Sequence, residues 1–118
     1  MSECIFCMIV NGEIPAKVVL DEDDVMAFDD VAPQAPVHTL IIPKHHYAHM
    51  ADDVPPDTML SLFSAVPKVA AIKGVAESGY RVIINNGHDA AQTVAHLHVH
   101  VLGGRPMAHG MVRFGSEE

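Results

Sequence analysis

Apolar positions repeat with two periods along this chain, and the switches between them divide it into elements. From Cys4 to Val10 the run Cys-Ile-Phe-Cys-Met-Ile-Val keeps apolar residues at helical spacing and stops at Asn11-Gly12, which predicts one or two helical turns. Lys17–Leu20 and Asp24–Asp29 read as short strands around the acidic turn Asp21-Glu22-Asp23. Val31–Val37 contains Pro33 and Pro36 and reads as a loop, and His38–Ile42 reads as a third strand closed by Pro43. After a polar stretch, Met59, Leu60, Leu62, Phe63, Val66, Val69, Ala70, Ile72 and Val75 follow a 3.6-residue stripe. This predicts a helix from Asp57 to about Ala76, capped by Asp57 or Thr58, with Pro67 kinking it or starting a new turn. Tyr80–Ile84 reads as a strand, Asn85–Thr93 as a polar loop, and Ala95–Leu102 as a last strand stopped by Gly103-Gly104.

Strands, one main helix and strands again make an α+β domain, with the helix packed on one face of an antiparallel sheet. The length of 118 residues fits one domain over 1–118, with a mobile tail expected at about 108–118. Hydrophobic residues at 49% supply a core, and no apolar run approaches the ~20 residues of a membrane span. Nothing near Met1 has the basic-then-apolar form of a secretion signal, so a cytoplasmic location is expected. Seven Lys plus Arg against fifteen Asp plus Glu give a charge of −8, which argues against a nucleic-acid partner. A small anionic ligand stays open, because local donors outweigh charges more than about 8 Å away.

The chemistry concentrates in His96-Leu97-His98-Val99-His100-Val101-Leu102. On a strand, alternation sends Leu97, Val99 and Val101 to the core and lines up His96, His98 and His100 on the opposite face, about 6.6–6.8 Å apart. A neutral imidazole is a nucleophile toward phosphorus, and a second ring beside it can donate a proton. Surface decoration and a metal site are the competing readings; three rings along one strand are too far apart to share one metal, though two of them can. The preceding loop offers Asn85, Gly87, Gln92 and Thr93 to a phosphate. The two cysteines, Cys4 and Cys7, form a Cys-x-x-Cys pair, which is half of a metal site or a redox motif rather than a disulfide framework.

With these residues the chain resembles the histidine triad (HIT) superfamily. Ile5-Phe6, Ile14-Pro15-Ala16-Lys17, Phe28, Asp30, Pro33-Gln34-Ala35-Pro36, His38, Ile42-Pro43-Lys44, Tyr80-Arg81, Asn85 and Gly103-Gly104-Arg105 look like its Hint branch, the histidine triad nucleotide-binding proteins. The resemblance runs from about residue 4 to 107. It implies a HIT-like fold: a five-stranded antiparallel sheet with one main helix and a short N-terminal helix, paired in a homodimer with a ten-stranded sheet. It implies hydrolysis of purine nucleoside phosphoramidates, of the adenosine 5′-phosphoramidate type, to a nucleotide such as AMP or GMP and an amine. His98 is then the nucleophile that forms a nucleotidyl-histidine, His100 assists phosphate and leaving amine, His96 supports the site and His38 orients His98. Asn85, Thr93 and the backbone at Ala91 and Gln92 hold phosphate oxygens, Asp30 accepts the ribose hydroxyls, and Ile5, Phe6, Ile9, Phe28, Val31 and Leu40 wall the base. Without the resemblance, Asp30 reads as a solvated turn residue and the apolar residues as plain core.

In a cysteine-bearing part of the superfamily, zinc is held by two cysteines, the His after the Pro-Lys pair and the first triad His. The matching set here is Cys4, Cys7, His46 (with His45 as register neighbour) and His96. Three features depart from the pattern. Ala90-Ala91 stands where the branch often has two glycines, Thr93 replaces a common Ser, and no Trp is present near the C-terminus. Alternatives to the phosphoramidase reading are a dinucleoside polyphosphate hydrolase or nucleotidyl transferase of the same superfamily, and a non-catalytic nucleotide-sensing module.

Overall fold

The computed structural model describes residues 4–110. Expectations for the tail beyond 110 lie outside the described residues. The elements are α1 (Ile5–Val10), β1 (Val18–Asp21), β2 (Val25–Asp29), β3 (Val37–Pro43), α2 (Pro56–Ile72), β4 (Tyr80–Ile83) and β5 (Val99–Gly103), with a short 3₁₀ turn at His88–Ala90 before β5. The strands form one sheet in the order β1-β2-β3-β5-β4, and every neighbouring pair is antiparallel. This is the expected α+β, HIT-like architecture.

Both faces of the sheet centre are covered, so β2 and β3 read as continuous buried runs rather than as polar alternation. On one face Val25, Ala27, Ile41, Leu97, Val99 and Val101 pack against Leu62, Ala65, Val66 and Val69 of α2. On the other, Met26, Phe28, Leu40 and Ile42 meet Phe6 of α1. The period-2 alternation thus separates a helix core from a second, thinner layer, and the second layer borders the site.

Several boundaries differ from the sequence reading. The main helix starts at Pro56 behind Pro55, not at Asp57 or Thr58, because proline's fixed φ and absent N–H suit a first turn. Pro67 lies inside α2 without ending it; it sits on the exposed side of the helix. The helix stops at Ile72, with Lys73 as C-cap and Gly74 at φ +77°, rather than running to Ala76. The last strand begins at Val99, not Ala95. Residues 95–98 approach it outside the ladder, held by the Leu97 N–H donating to the Tyr47 carbonyl at 2.6 Å. No helix among the described residues is long and apolar enough to cross a membrane.

Candidate active site

β5 pairs with β3 so that His38 lies opposite Leu102 and Leu40 opposite His100. That register brings two histidine-bearing segments to one edge of the second layer. His38 Nε2 is 2.9 Å from His100 Nδ1, and the rings of His98 and His100 are 4.9 Å apart. His96 turns away from this pair. Its Nδ1 faces Cys4 Sγ at 3.3 Å, His46 Nδ1 at 3.2 Å and Cys7 Sγ at 3.6 Å. The evenly spaced row of three rings is therefore replaced by a pair plus a third ring in another cluster, because His96 precedes the regular strand. Phe6 fills the space between: its ring meets those of His98, Phe28 and His96 edge-on at 5.2, 5.5 and 5.8 Å.

The backbone assigns the ring protons. His98 is 3% exposed and its Nδ1 is 2.7 Å from the His96 carbonyl, which can only accept. Nδ1 therefore carries the proton and Nε2 keeps its lone pair. His38 Nδ1 accepts the Gln34 amide proton at 3.0 Å, so neutral His38 carries its proton on Nε2 and donates it to His100 Nδ1. His100 then bears its proton on Nε2, a buried donor with no partner among the described residues. His96 donates Nε2–H to the Pro43 carbonyl at 2.9 Å and turns an Nδ1 lone pair toward the cysteines.

Burial disfavours the charged form of His100 and His96. The pKa of His100 falls to about 4, first through burial and then through the nearby His98 and His38, against a smaller upward pull from Asp30. His96 also falls to about 4, chiefly through burial, with the Pro43 hydrogen bond opposing and His46, His98 and His45 adding.

A cavity of about 250 Å³ opens beside the His98–His100 pair. Ile5, Phe6, Ile9, Phe28, Val31 and Leu40 line it as expected apolar walls, joined by Asp30, Thr93, His98 and His100. Val31 is 99% exposed and stands at the rim. Asp30 Oδ1 accepts the Ala32 amide proton at 2.9 Å, while Oδ2 lies 3.5 Å from His38 Nε2. A larger cavity of about 630 Å³ shares Asp30 and includes His38, Lys17 and Lys73, but neither His98 nor His100 borders it.

Matched to the HIT domain family over residues 11–107, this arrangement of histidines has a settled place. The chain belongs to the HIT domain family. It is 42% identical over 113 residues to an uncharacterised HIT-like protein of Methanocaldococcus jannaschii, covering 95% of this chain and 87% of the relative. Among solved structures, a HIT family hydrolase from Legionella pneumophila superposes with a TM-score of 0.85 at 42% identity, covering 92% of this chain and 98% of that one. A histidine triad nucleotide-binding protein from Candida albicans gives 0.79 at 35%, covering 90% and 85%.

Within this HIT domain, three expected contacts take another form. His38 bonds to His100 and not to His98, whose Nδ1 is held by a carbonyl instead. The Ala91 and Gln92 amides already donate, to the His88 and Gly87 carbonyls, so they close the turn rather than point at a ligand. The Gln92 side chain staples the loop, accepting from the Gly87 amide and donating to the Ala48 and Val94 carbonyls. Asn85, Ala91 and Gln92 do not line the cavity, whereas Thr93 does. Ile14, Pro15, Ala16 and Val94 line it without having been assigned there. The Ile14-Pro15-Ala16-Lys17 match was the available signal. Ala91 adopts φ +60°, the left-handed region where a glycine is at ease.

The metal-ligand atoms of Cys4, Cys7, His46 and His96 all lie within 4.8 Å of one another. Tetrahedral zinc with bonds of about 2.0–2.1 Å to nitrogen and 2.3 Å to sulfur sets nitrogen–nitrogen and nitrogen–sulfur edges near 3.3–3.6 Å. Four of the six ligand-to-ligand edges, at 3.2, 3.3, 3.3 and 3.6 Å, match those lengths.

Proposed function

We propose that this HIT domain is a hydrolase that cleaves purine nucleoside phosphoramidates through a covalent nucleotide on His98. The observation that carries the reading is the pairing of opposite proton roles at one cavity: a lone pair on His98 Nε2 and a buried, unpartnered N–H on His100 Nε2. Nucleophile and proton donor on adjacent rings are what displacement at phosphorus with a poor leaving group needs. The printed names of the Legionella and Candida structures, hydrolase and nucleotide-binding protein, support the class.

The anionic phosphate raises the proton affinity of His100, so the His38–His100 pair takes up one proton as substrate binds. His98 Nε2 attacks the α-phosphorus and a nitrogen–phosphorus bond forms. The phosphorus–amine bond breaks and the amine leaves with the proton from His100 Nε2. Water then attacks phosphorus and gives a proton to the pair, the bond to His98 breaks to release the nucleoside monophosphate, and the pair loses its extra proton to solvent as the phosphate departs. The His96 carbonyl stabilises the cationic intermediate at His98 Nδ1–H. Asp30 Oδ2 accepts ribose hydroxyls, Thr93 donates to phosphate, and the apolar walls take a purine by burial and stacking without reading its edge.

Cys4, Cys7, His46 and His96 would hold a zinc ion in this reading, and the ion would link their segments rather than take part at phosphorus. A homodimer belongs to it as well. β4 is a sheet edge with Tyr80 and Val82 exposed, and edge-to-edge pairing of two copies makes ten strands.

The deciding experiment mixes the protein with adenosine 5′-phosphoramidate and follows ammonia release and the mass of the peptide bearing His98. A transient gain of one AMP on that peptide, absent in His98→Ala, is expected. Binding of AMP with neither adduct nor turnover overturns the catalytic reading in favour of a nucleotide-sensing module. Turnover of a dinucleoside polyphosphate but not of the phosphoramidate overturns the leaving-group assignment.

A further inference from the structure

α1 is too short to hold its own shape. Six residues fall well below the ~12–15 at which an isolated helix becomes marginal, so its order depends on what it touches. It nevertheless carries three walls of the cavity, Ile5, Phe6 and Ile9. Two of the four clustered metal-ligating side chains sit at its start. Cys4 is the N-cap, its Sγ accepting from the Cys7 amide at 3.4 Å, and Cys7 lies one turn on. The other two come from elsewhere: His46 follows β3, and His96 immediately precedes the His98 segment. Phe6 lies between the two cysteines and is buried against the rings of His96 and His98.

We propose that metal binding by Cys4, Cys7, His46 and His96 is the clip that docks α1, and that docking makes Phe6 a positioning residue, which packs His98 in place and completes the base wall. The inference rests on the nucleotide reading for its ligand, but not for the docking itself. Without the metal, four side chains that converge through lone pairs lose the ion that binds them together. What remains on α1 is the packing of Phe6, Ile9 and Val10 on Met26, Phe28, Leu40 and Ile42. The sheet and α2 have a separate core, which no residue of α1 enters. Metal removal therefore opens the nucleotide cavity locally and leaves the rest of the fold standing.

The test compares zinc-loaded protein with protein stripped by a chelator, using hydrogen exchange and AMP titration calorimetry. Expected are faster exchange at residues 5–10 in the stripped form, unchanged exchange in β2, β3 and α2, and AMP binding at least tenfold weaker. Zinc addition restores both. Phe6→Ala in the loaded protein is expected to weaken AMP binding with zinc uptake unchanged, and Phe6→Leu to recover part of it. Equal exchange at 5–10 with and without zinc overturns the clip, and so does loss of protection throughout the sheet, which makes the ion a global support. Failure of the loaded protein to take AMP sinks the nucleotide reading alone, since exchange at 5–10 still decides the docking. Failure of the stripped protein to take up zinc overturns the proposal outright.

Discussion

His38 Nε2 stands 2.9 Å from His100 Nδ1, across the β3–β5 ladder, and the Gln34 amide holds the far side of the His38 ring. In the proposed reaction the pair is one acid–base unit whose outer end is His100 Nε2. His38→Ala is expected to lower turnover about 10–100-fold and His100→Ala about 10²–10⁴-fold. Because both act on one proton, the double variant is expected to be little worse than His100→Ala. Single-turnover rates of amine release check this, and additive losses would disprove the shared role.

His100 also couples folding to pH. Its native pKa, lowered to about 4, lies below the ~6.5 of an unfolded histidine. Between those values the unfolded chain binds a proton that the native ring refuses, so stability falls as pH drops from about 6.5 to about 4 and levels off below. This ring contributes a slope of at most about 1.4 kcal/mol per pH unit. Urea unfolding of His100→Asn against the parent at several pH values is expected to show a shallower dependence in the variant.

The left-handed Ala91 offers a second test of the loop. Removing its side chain relieves a strain of about 1–2 kcal/mol, while glycine loosens the unfolded chain by about 0.4–1 kcal/mol. Ala91→Gly is thus expected to gain up to about 1.6 kcal/mol, which calorimetry reads as a rise of a few degrees in Tm. A fall in Tm contradicts the assigned strain.

Asp30 lines the cavity, with Oδ1 held by the Ala32 amide and Oδ2 3.5 Å from His38 Nε2. Asp30→Asn retains an acceptor for the amide while losing the charge proposed to attract ribose hydroxyls. AMP affinity is expected to fall about tenfold with little change in Tm, since a hydrogen bond to a charged group is worth about 1.5–3 kcal/mol. Equal affinities of the parent for AMP and its 2′,3′-dideoxy analogue would remove Asp30 from the ribose role.

How much of this was legible in the chain varied with the range of the interaction. Period-2 alternation placed Leu97, Val99 and Val101 correctly toward the core, because burial on a pleated surface is a local rule. The alternation around His96 misled, since it held for facing but not for strand: a carbonyl from Tyr47, half a chain away, pins Leu97 outside the ladder. The partner of His38 was equally hidden, because it follows from the β3–β5 register and no sequence spacing encodes that. Likewise the Ala91 and Gln92 amides looked available until the 3₁₀ turn closed on them. The base-wall residues and the cysteine–histidine set came from family resemblance, and the structure gathers both.

The protons of His98, His96 and His38 are each placed by a main-chain group: the carbonyls of His96 and Pro43 and the amide of Gln34. Main-chain groups survive almost any exchange of side chains. Residues around the rim can therefore be redesigned for bulkier amines or other bases while the polarity of these rings stays as it is, and of the three main-chain groups only the Gln34 amide is removed by a single replacement, proline at position 34.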